Sequence, residues 1–351
     1  MLYPWQYDDW LRIQMLSDNW MHALLLYGQT GIGKMNFAYE LAQSLLCERP
    51  HDKAYACGKC VACIWFLQGN HPDFRFVCPE AIPIQMSIDV YKSSHNDVAS
   101  DSATSASIKK CKSPSKEIKI DQVRGLLDFC GITSHRGGRR VVVLSPTEAL
   151  SLSAANALLK TLEEPPPGVL FLLVSVDLKR LLPTIVSRCR QWPLAMPNTA
   201  SALAWLHSQG ISDPASALAE AGGAPLAALT VARDEYALLK QCILKQLAYG
   251  PNCEPFALCE ALQKAPMPLA LGWLQRWVYD LLAMQMSDKP RYFPAHLNTL
   301  QHIAKHSEPF RVAQCLKRIT QQRAVEQHSL NSRLVFEELY IYYKSIFRNK
   351  L

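Results

Sequence analysis

The sequence predicts an α/β domain built on a parallel sheet, followed by an all-α half. Three observations predict it. Apolar runs alternate with helical patterns over the first half of the chain, as strands alternate with crossover helices. A glycine loop, Gly28-Gln29-Thr30-Gly31-Ile32-Gly33-Lys34, sits between one such run and a helical stretch. From about Pro197 onward no strand pattern recurs.

Four runs are read as strands: residues 23–27, 74–78, 140–144 and 169–175. They are short, apolar and rich in branched side chains, as strands buried on both faces are. Asp121 is the expected N-cap of a helix running through Cys130. After Ser151, residues Leu152, Ala155, Leu158, Leu159 and Leu162 share one helical face, and Pro165-Pro166-Pro167-Gly168 ends that helix. In the second half, residues 198–210, 214–221 and 225–249 read as helices broken by Gly and Pro. Longer amphipathic helices follow, carrying Leu274, Trp277, Leu281, Leu334, Leu339 and Tyr340. The Trp273–Trp277 pair reads as core or interface filling, since a base-stacking platform carries interleaved basic residues.

The glycine loop has a chemical meaning. Backbone N–H groups at the start of a helix cradle phosphate, and a lysine at the loop's end meets its charge. Gly28, Gly33 and Lys34 are therefore the candidate nucleotide-binding residues, ahead of a helix expected over 36–46. The next position should be a Ser or Thr holding Mg²⁺, but it is Met35. A thioether is a poor ligand for a hard cation that requires oxygen. The strand at 140–144 should end in an acidic pair, but it ends in Ser145-Pro146. The frame of an ATPase is present without its metal ligands, so ATP is expected to bind weakly or not at all and not to be hydrolysed.

Four of the twelve cysteines are clustered. Cys57, Cys60 and Cys63 follow one another at C-x-x-C spacing, and Cys47 lies ten residues earlier at a helix end. Four thiolates close a tetrahedral structural zinc site, with no position left open for catalysis. A redox pair is the rival reading, but it has no use for a third and fourth cysteine. The module over about 47–63 is expected to be pinned by zinc.

Composition sets the remaining bounds. At 351 residues and 49% hydrophobic, the chain has material for two or three cores. Its net charge of +7 tolerates a nearby polyanion without requiring one. No apolar run reaches the roughly 18 residues of a membrane span. The first ten residues lack the basic and apolar regions of a secretory signal, so a cytoplasmic location is expected. Over residues 91–117, eight of 27 residues are serine, and a flexible insertion is expected there.

These residues together resemble the delta-prime family of bacterial DNA polymerase III clamp-loader subunits, in the AAA+ superfamily. The resemblance begins at Tyr3-Pro4-Trp5, passes through the glycine loop and the cysteines, and includes His71-Pro72-Asp73. It is densest from Ala154 through Asn156, Lys160, Glu163 and Glu164 to Pro166, and continues over Leu182-Pro183-Thr184-Ile185-Val186-Ser187-Arg188-Cys189. It fades near Leu330-Asn331-Ser332-Arg333-Leu334. It implies an AAA+ P-loop domain over 1–196, a small helical lid over 197–235 and a helical oligomerisation collar over 236–351. The related gamma and tau subunits hydrolyse ATP and keep the metal ligands that Met35 and Ser145-Pro146 replace. Their sensor arginine is matched here by Ala227.

The resemblance also implies a role for Arg188. In clamp loaders the Ser-Arg-Cys arginine is presented in trans to ATP held by a neighbouring ATPase subunit. A planar, permanently charged guanidinium suits developing charge on a transferring phosphate. Arg180 and Arg190 are the fallback candidates. The implied partners are gamma/tau and delta subunits, and through the complex the sliding clamp and primed DNA. Asn156 and Lys160, four apart on one helix face, fit a solvated edge, with Lys160 the candidate for a DNA-backbone contact. Two other readings stay open. One is an active gamma/tau-type ATPase that recruits Glu148 or Asp177 as a displaced metal ligand. The other is a zinc-bearing DNA-binding adaptor.

Overall fold

The computed structural model describes residues 2–15, 22–51, 54–82, 114–135, 138–233, 235–325 and 332–347. Most of the serine-rich stretch lies outside them. The chain divides into two compact units, Met1–Met196 and Pro197–Leu351.

Unit one is built on five parallel strands in the order β2-β3-β4-β1-β5. These are β1 (Ala23–Tyr27), β2 (Phe74–Val77), β3 (Arg140–Leu144), β4 (Val169–Ser175) and β5 (Arg190–Pro193). β3 and β4 are buried at every position, which explains their unbroken apolar sequences. The fifth strand was not among the sequence expectations. It is a four-residue edge strand, half-buried and exposed in alternation, and too short to carry a periodic signal.

Among the described residues six helices accompany the sheet: α1 (Tyr7–Gln14), α2 (Lys34–Leu46), α3 (Val61–Leu67), α4 (Ile120–Gly131), α5 (Leu152–Glu163) and α6 (Pro183–Val186). α2 begins two residues earlier than the sequence suggests, directly on the loop lysine. Asp121 is not the cap of α4. The N-cap is Lys119, whose backbone N–H donates to Gln122 Oε1 at 2.9 Å, and Asp121 lies within the first turn. Ser151 does cap α5, accepting from the Ala154 N–H at 3.3 Å. The α5 face of Ala154, Ala155, Leu158 and Leu162 shares a core with Phe171 and Leu173 of β4, Val142 and Leu144 of β3, and Ile185 of α6.

Unit two is entirely helical among the described residues. α7 (Thr199–Ser208), α8 (Pro214–Glu220) and α9 (Pro225–Ala232) surround a small core of Ala202, Leu206, Ala217, Leu218 and Ala228. The helix expected over 225–249 is two helices, because α9 ends at Ala232 and α10 (Ala237–Ala248) begins anew. α11 (Pro255–Gln263), α12 (Met267–Ser287), α13 (Leu297–Lys305), α14 (Pro309–Val325) and α15 (Ser332–Ser345) complete a larger core. Trp273 and Trp277 are buried in it, as expected of core filling. Leu334 differs, being well exposed at the start of α15. Among the described residues no single helix is long and apolar enough to cross a membrane.

Candidate functional site

The glycine loop follows β1 at its C-terminal end, where α/β sheets bind ligands. Gly33 adopts φ +87°, and a Cβ there would lie 2.7 Å from the Tyr3 ring and 2.9 Å from Gln6 Nε2. Only glycine fits. A Cβ on Gly28 would meet the Leu194 carbonyl oxygen at 2.6 Å. The N-terminal turn Pro4–Gln6 lies against the loop and is bonded to it. The Trp5 indole donates to Ile32 O at 2.9 Å, and Gln6 Nε2 donates to Ile32 O and Gly33 O at 3.2 and 2.9 Å. Gln6 was not a sequence candidate. Its only signal is adjacency to Tyr3-Pro4-Trp5.

Lys34 is 7% exposed, and its ammonium donates to the carbonyls of Gly28 and Gln29, each at 2.8 Å. Burial pulls its pKa down to about 8, opposed by the charge of Glu148. Met35 follows it in α2. Beyond β3, Ser145-Pro146 is a cis peptide. Glu148 then turns its Oε1 toward the end of β4. There it accepts from Ser175 Oγ at 2.7 Å, from the Asp177 N–H at 3.0 Å and from the Val176 N–H. Asp177 accepts from the Lys179 N–H at 3.0 Å and caps the turn Leu178–Arg180. One Glu148 oxygen is thus taken up by donors after β4 while its Oε2 is buried without a hydrogen-bond partner among the described residues, and Asp177 caps its own turn.

The four clustered cysteines come together. Their Sγ atoms all lie within 4.8 Å of one another. Cys47 and Cys60 are 3.9 Å apart, and Cys57 and Cys63 are 4.0 Å apart. A zinc tetrahedron with Zn–S near 2.3 Å has edges of about 3.8 Å, so the set fits that ion. Backbone N–H groups point at the sulfurs: Cys57 N to Cys47 Sγ at 3.3 Å, Cys60 N to Cys57 Sγ at 3.3 Å, and Cys63 N to Cys60 Sγ at 3.4 Å. Such donors favour thiolates. The backbone of Lys59 and Cys60 draws the Cys57 thiol down to about 6, while burial pushes the Cys47 and Cys63 thiols up. Cys47 ends α2 and Cys60 caps α3, so an ion held here would tie two helices together.

Arg188 lies on the turn between α6 and β5. The backbone is anchored on both sides. The Arg188 N–H donates to Ile185 O at 3.1 Å, and the next residue, Cys189, is buried in the sheet core, where desolvation pushes its thiol up to about 12. The Arg188 side chain is 31% exposed, while Arg180 stands exposed on its own turn and Arg190 lies half-buried in β5. Nη1 donates to Thr184 O at 2.9 Å and Ser187 Oγ at 3.4 Å, and Nη2 donates to Glu163 Oε1. Asn156 and Lys160 are exposed along α5, as a solvated edge requires.

The family model described as DNA polymerase III, delta subunit, matches residues 8–198. The DNA polymerase III subunit delta' of Pseudomonas aeruginosa is 34% identical over 98% of this chain and 98% of its own length. The subunit delta' of Haemophilus influenzae is 30% identical over 80% of this chain and 77% of its own. That of Escherichia coli is 30% identical over 80% and 76%. A solved DNA polymerase III gamma subunit-related protein of Thermotoga maritima aligns with a TM-score of 0.46 at 16% identity, covering 98% of this chain and 100% of that one.

Proposed function

The chain belongs to the DNA polymerase III delta' family, and from that premise we propose that it is a non-hydrolysing clamp-loader subunit that supplies Arg188 in trans to ATP held by a neighbouring ATPase subunit. The observation that carries this reading is the placement of Arg188. Its backbone is fixed by a helix turn and a buried cysteine, while its side chain stays partly exposed beside Glu163. A finger delivered across a subunit boundary is worth roughly 10³–10⁵ in rate.

The chain's own glycine loop supports the non-hydrolysing half. Lys34 is bonded to loop carbonyls, Met35 offers no oxygen, and Glu148 Oε1 and Asp177 Oδ1 accept from backbone donors. Nucleotide would dock weakly at Gly28, Gly33 and Lys34, if at all. The four cysteines would hold a structural zinc, which supplies folding energy and no chemistry. Residues 1–196, 197–235 and 236–351 would serve as ATPase-like domain, lid and ring collar. The partners would be gamma/tau and delta subunits, acting with the sliding clamp on primed DNA in the cytoplasm.

Two measurements test the proposal. The isolated chain should show no DNA-stimulated ATP hydrolysis, and turnover by it alone would defeat the non-hydrolysing half. In the assembled complex, Arg188→Ala should lower ATP turnover while assembly persists. Turnover at the wild-type level would defeat the trans role.

A further inference from the structure

A guanidinium has five N–H donors, and Arg188 has most of its own committed within the chain. Nη1 serves Thr184 O and Ser187 Oγ. Nη2 gives one hydrogen to Glu163 Oε1, and Nε is buried without an acceptor among the described residues. One Nη2 hydrogen remains beside the carboxylate, on a side chain that is partly exposed. We infer that Glu163 is the positioning residue of Arg188, fixing the plane of the guanidinium so that this last donor faces outward. The inference rests on the trans role proposed above.

The geometry has a rigid source. Glu163 is the last residue of α5, and Arg188 lies two residues past the end of α6. Leu158 and Leu162 of α5 share a buried core with Ile185 of α6 and Cys189. The two ends of the ion pair therefore sit on elements that cannot slide independently. Glu163 itself is about half exposed, so its charge is well solvated and the pair adds little to stability. Its effect is to remove rotamers from a long side chain that must otherwise be ordered when the neighbour's phosphate arrives.

The test uses the complex reconstituted from this chain and its ATP-hydrolysing neighbours, with kcat and KM for ATP measured on primed DNA. Glu163→Ala should lower kcat roughly threefold to tenfold while KM moves less than about twofold. Glu163→Gln keeps an acceptor for Nη2 and should restore most of kcat. In an Arg188→Ala background, Glu163→Ala should have no further effect. Should the alanine variant fail to assemble, Glu163→Met replaces it, since it keeps the side-chain length without an acceptor for Nη2, and it must show the same loss. Wild-type or raised kcat for Glu163→Ala, with Arg188→Ala impaired, overturns the inference and leaves the trans role standing. A further loss in the Arg188→Ala background also overturns it. Wild-type kcat for Arg188→Ala removes the trans role itself.

Discussion

The ammonium of Lys34 rests 2.8 Å from the carbonyl oxygen of Gly28, the residue that opens its own loop. A cation buried there is less basic than lysine in water, near 8 against 10.5. Between those values the unfolded chain holds a proton that the folded chain has lost, so Lys34's contribution to stability rises with pH across that window. Below pH 8 both states are charged and the full cost of burial applies. The stability of the wild type relative to Lys34→Met should therefore increase from pH 8 to pH 10.5. Urea melts of both proteins at several pH values measure it, and a flat difference would contradict the buried ammonium.

Zinc should leave with consequences for folding. A chelator strong enough to strip Cys47, Cys57, Cys60 and Cys63 should release one equivalent of metal and loosen residues 47–63. Structural zinc is worth on the order of 10–16 kcal/mol in small peptides, so the local effect should be large. Metal analysis and hydrogen exchange check it. Cys57→Ser should reproduce the loss, whereas a metal-free wild type with unchanged protection would dismiss the site.

In unit two, the Tyr343 hydroxyl donates to Leu247 O at 2.7 Å and accepts from the Trp277 indole at 3.1 Å. Tyr343→Phe would leave both groups unsatisfied in a buried core, at a cost of roughly 1–3 kcal/mol. The adjacent Tyr342→Phe lies on the exposed side and should change stability by less than about 0.5 kcal/mol. Denaturant titration of the two variants separates hydrogen bonding from the loss of a hydroxyl as such.

Glu220 is buried with Lys240 Nζ at 2.7 Å, and Arg276 stands 3.7 Å from its other oxygen. Removing the closer cation strands a carboxylate out of water. Lys240→Met should destabilise by roughly 3–5 kcal/mol, toward the low end because Arg276 remains. Glu220→Met in the same protein should recover most of that loss. Failure of the double variant to recover would place the energy in packing rather than charge.

Much of the fold was legible because parallel strands buried on both faces leave apolar runs, as in residues 141–144 and 169–174. β5 was not legible, since its partly exposed positions follow from lying at the sheet's edge, which no local window records. The cysteine set was readable from spacing alone. The neighbours of Arg188 were not: Glu163 lies 25 residues away, and only the packing of α5 on α6 brings the two together. The orientation of Glu148 was likewise hidden, because its partners belong to the end of a different strand.

The register of β1 with β5 has a mechanical consequence. Leu24, near the start of β1, pairs with Arg190, two residues beyond Arg188. Tyr27, at the other end of β1, leads into the glycine loop. One strand, about 17 Å long, thus ties the glycine loop to the turn that carries Arg188. Neither end can shift alone without tearing ladder bonds.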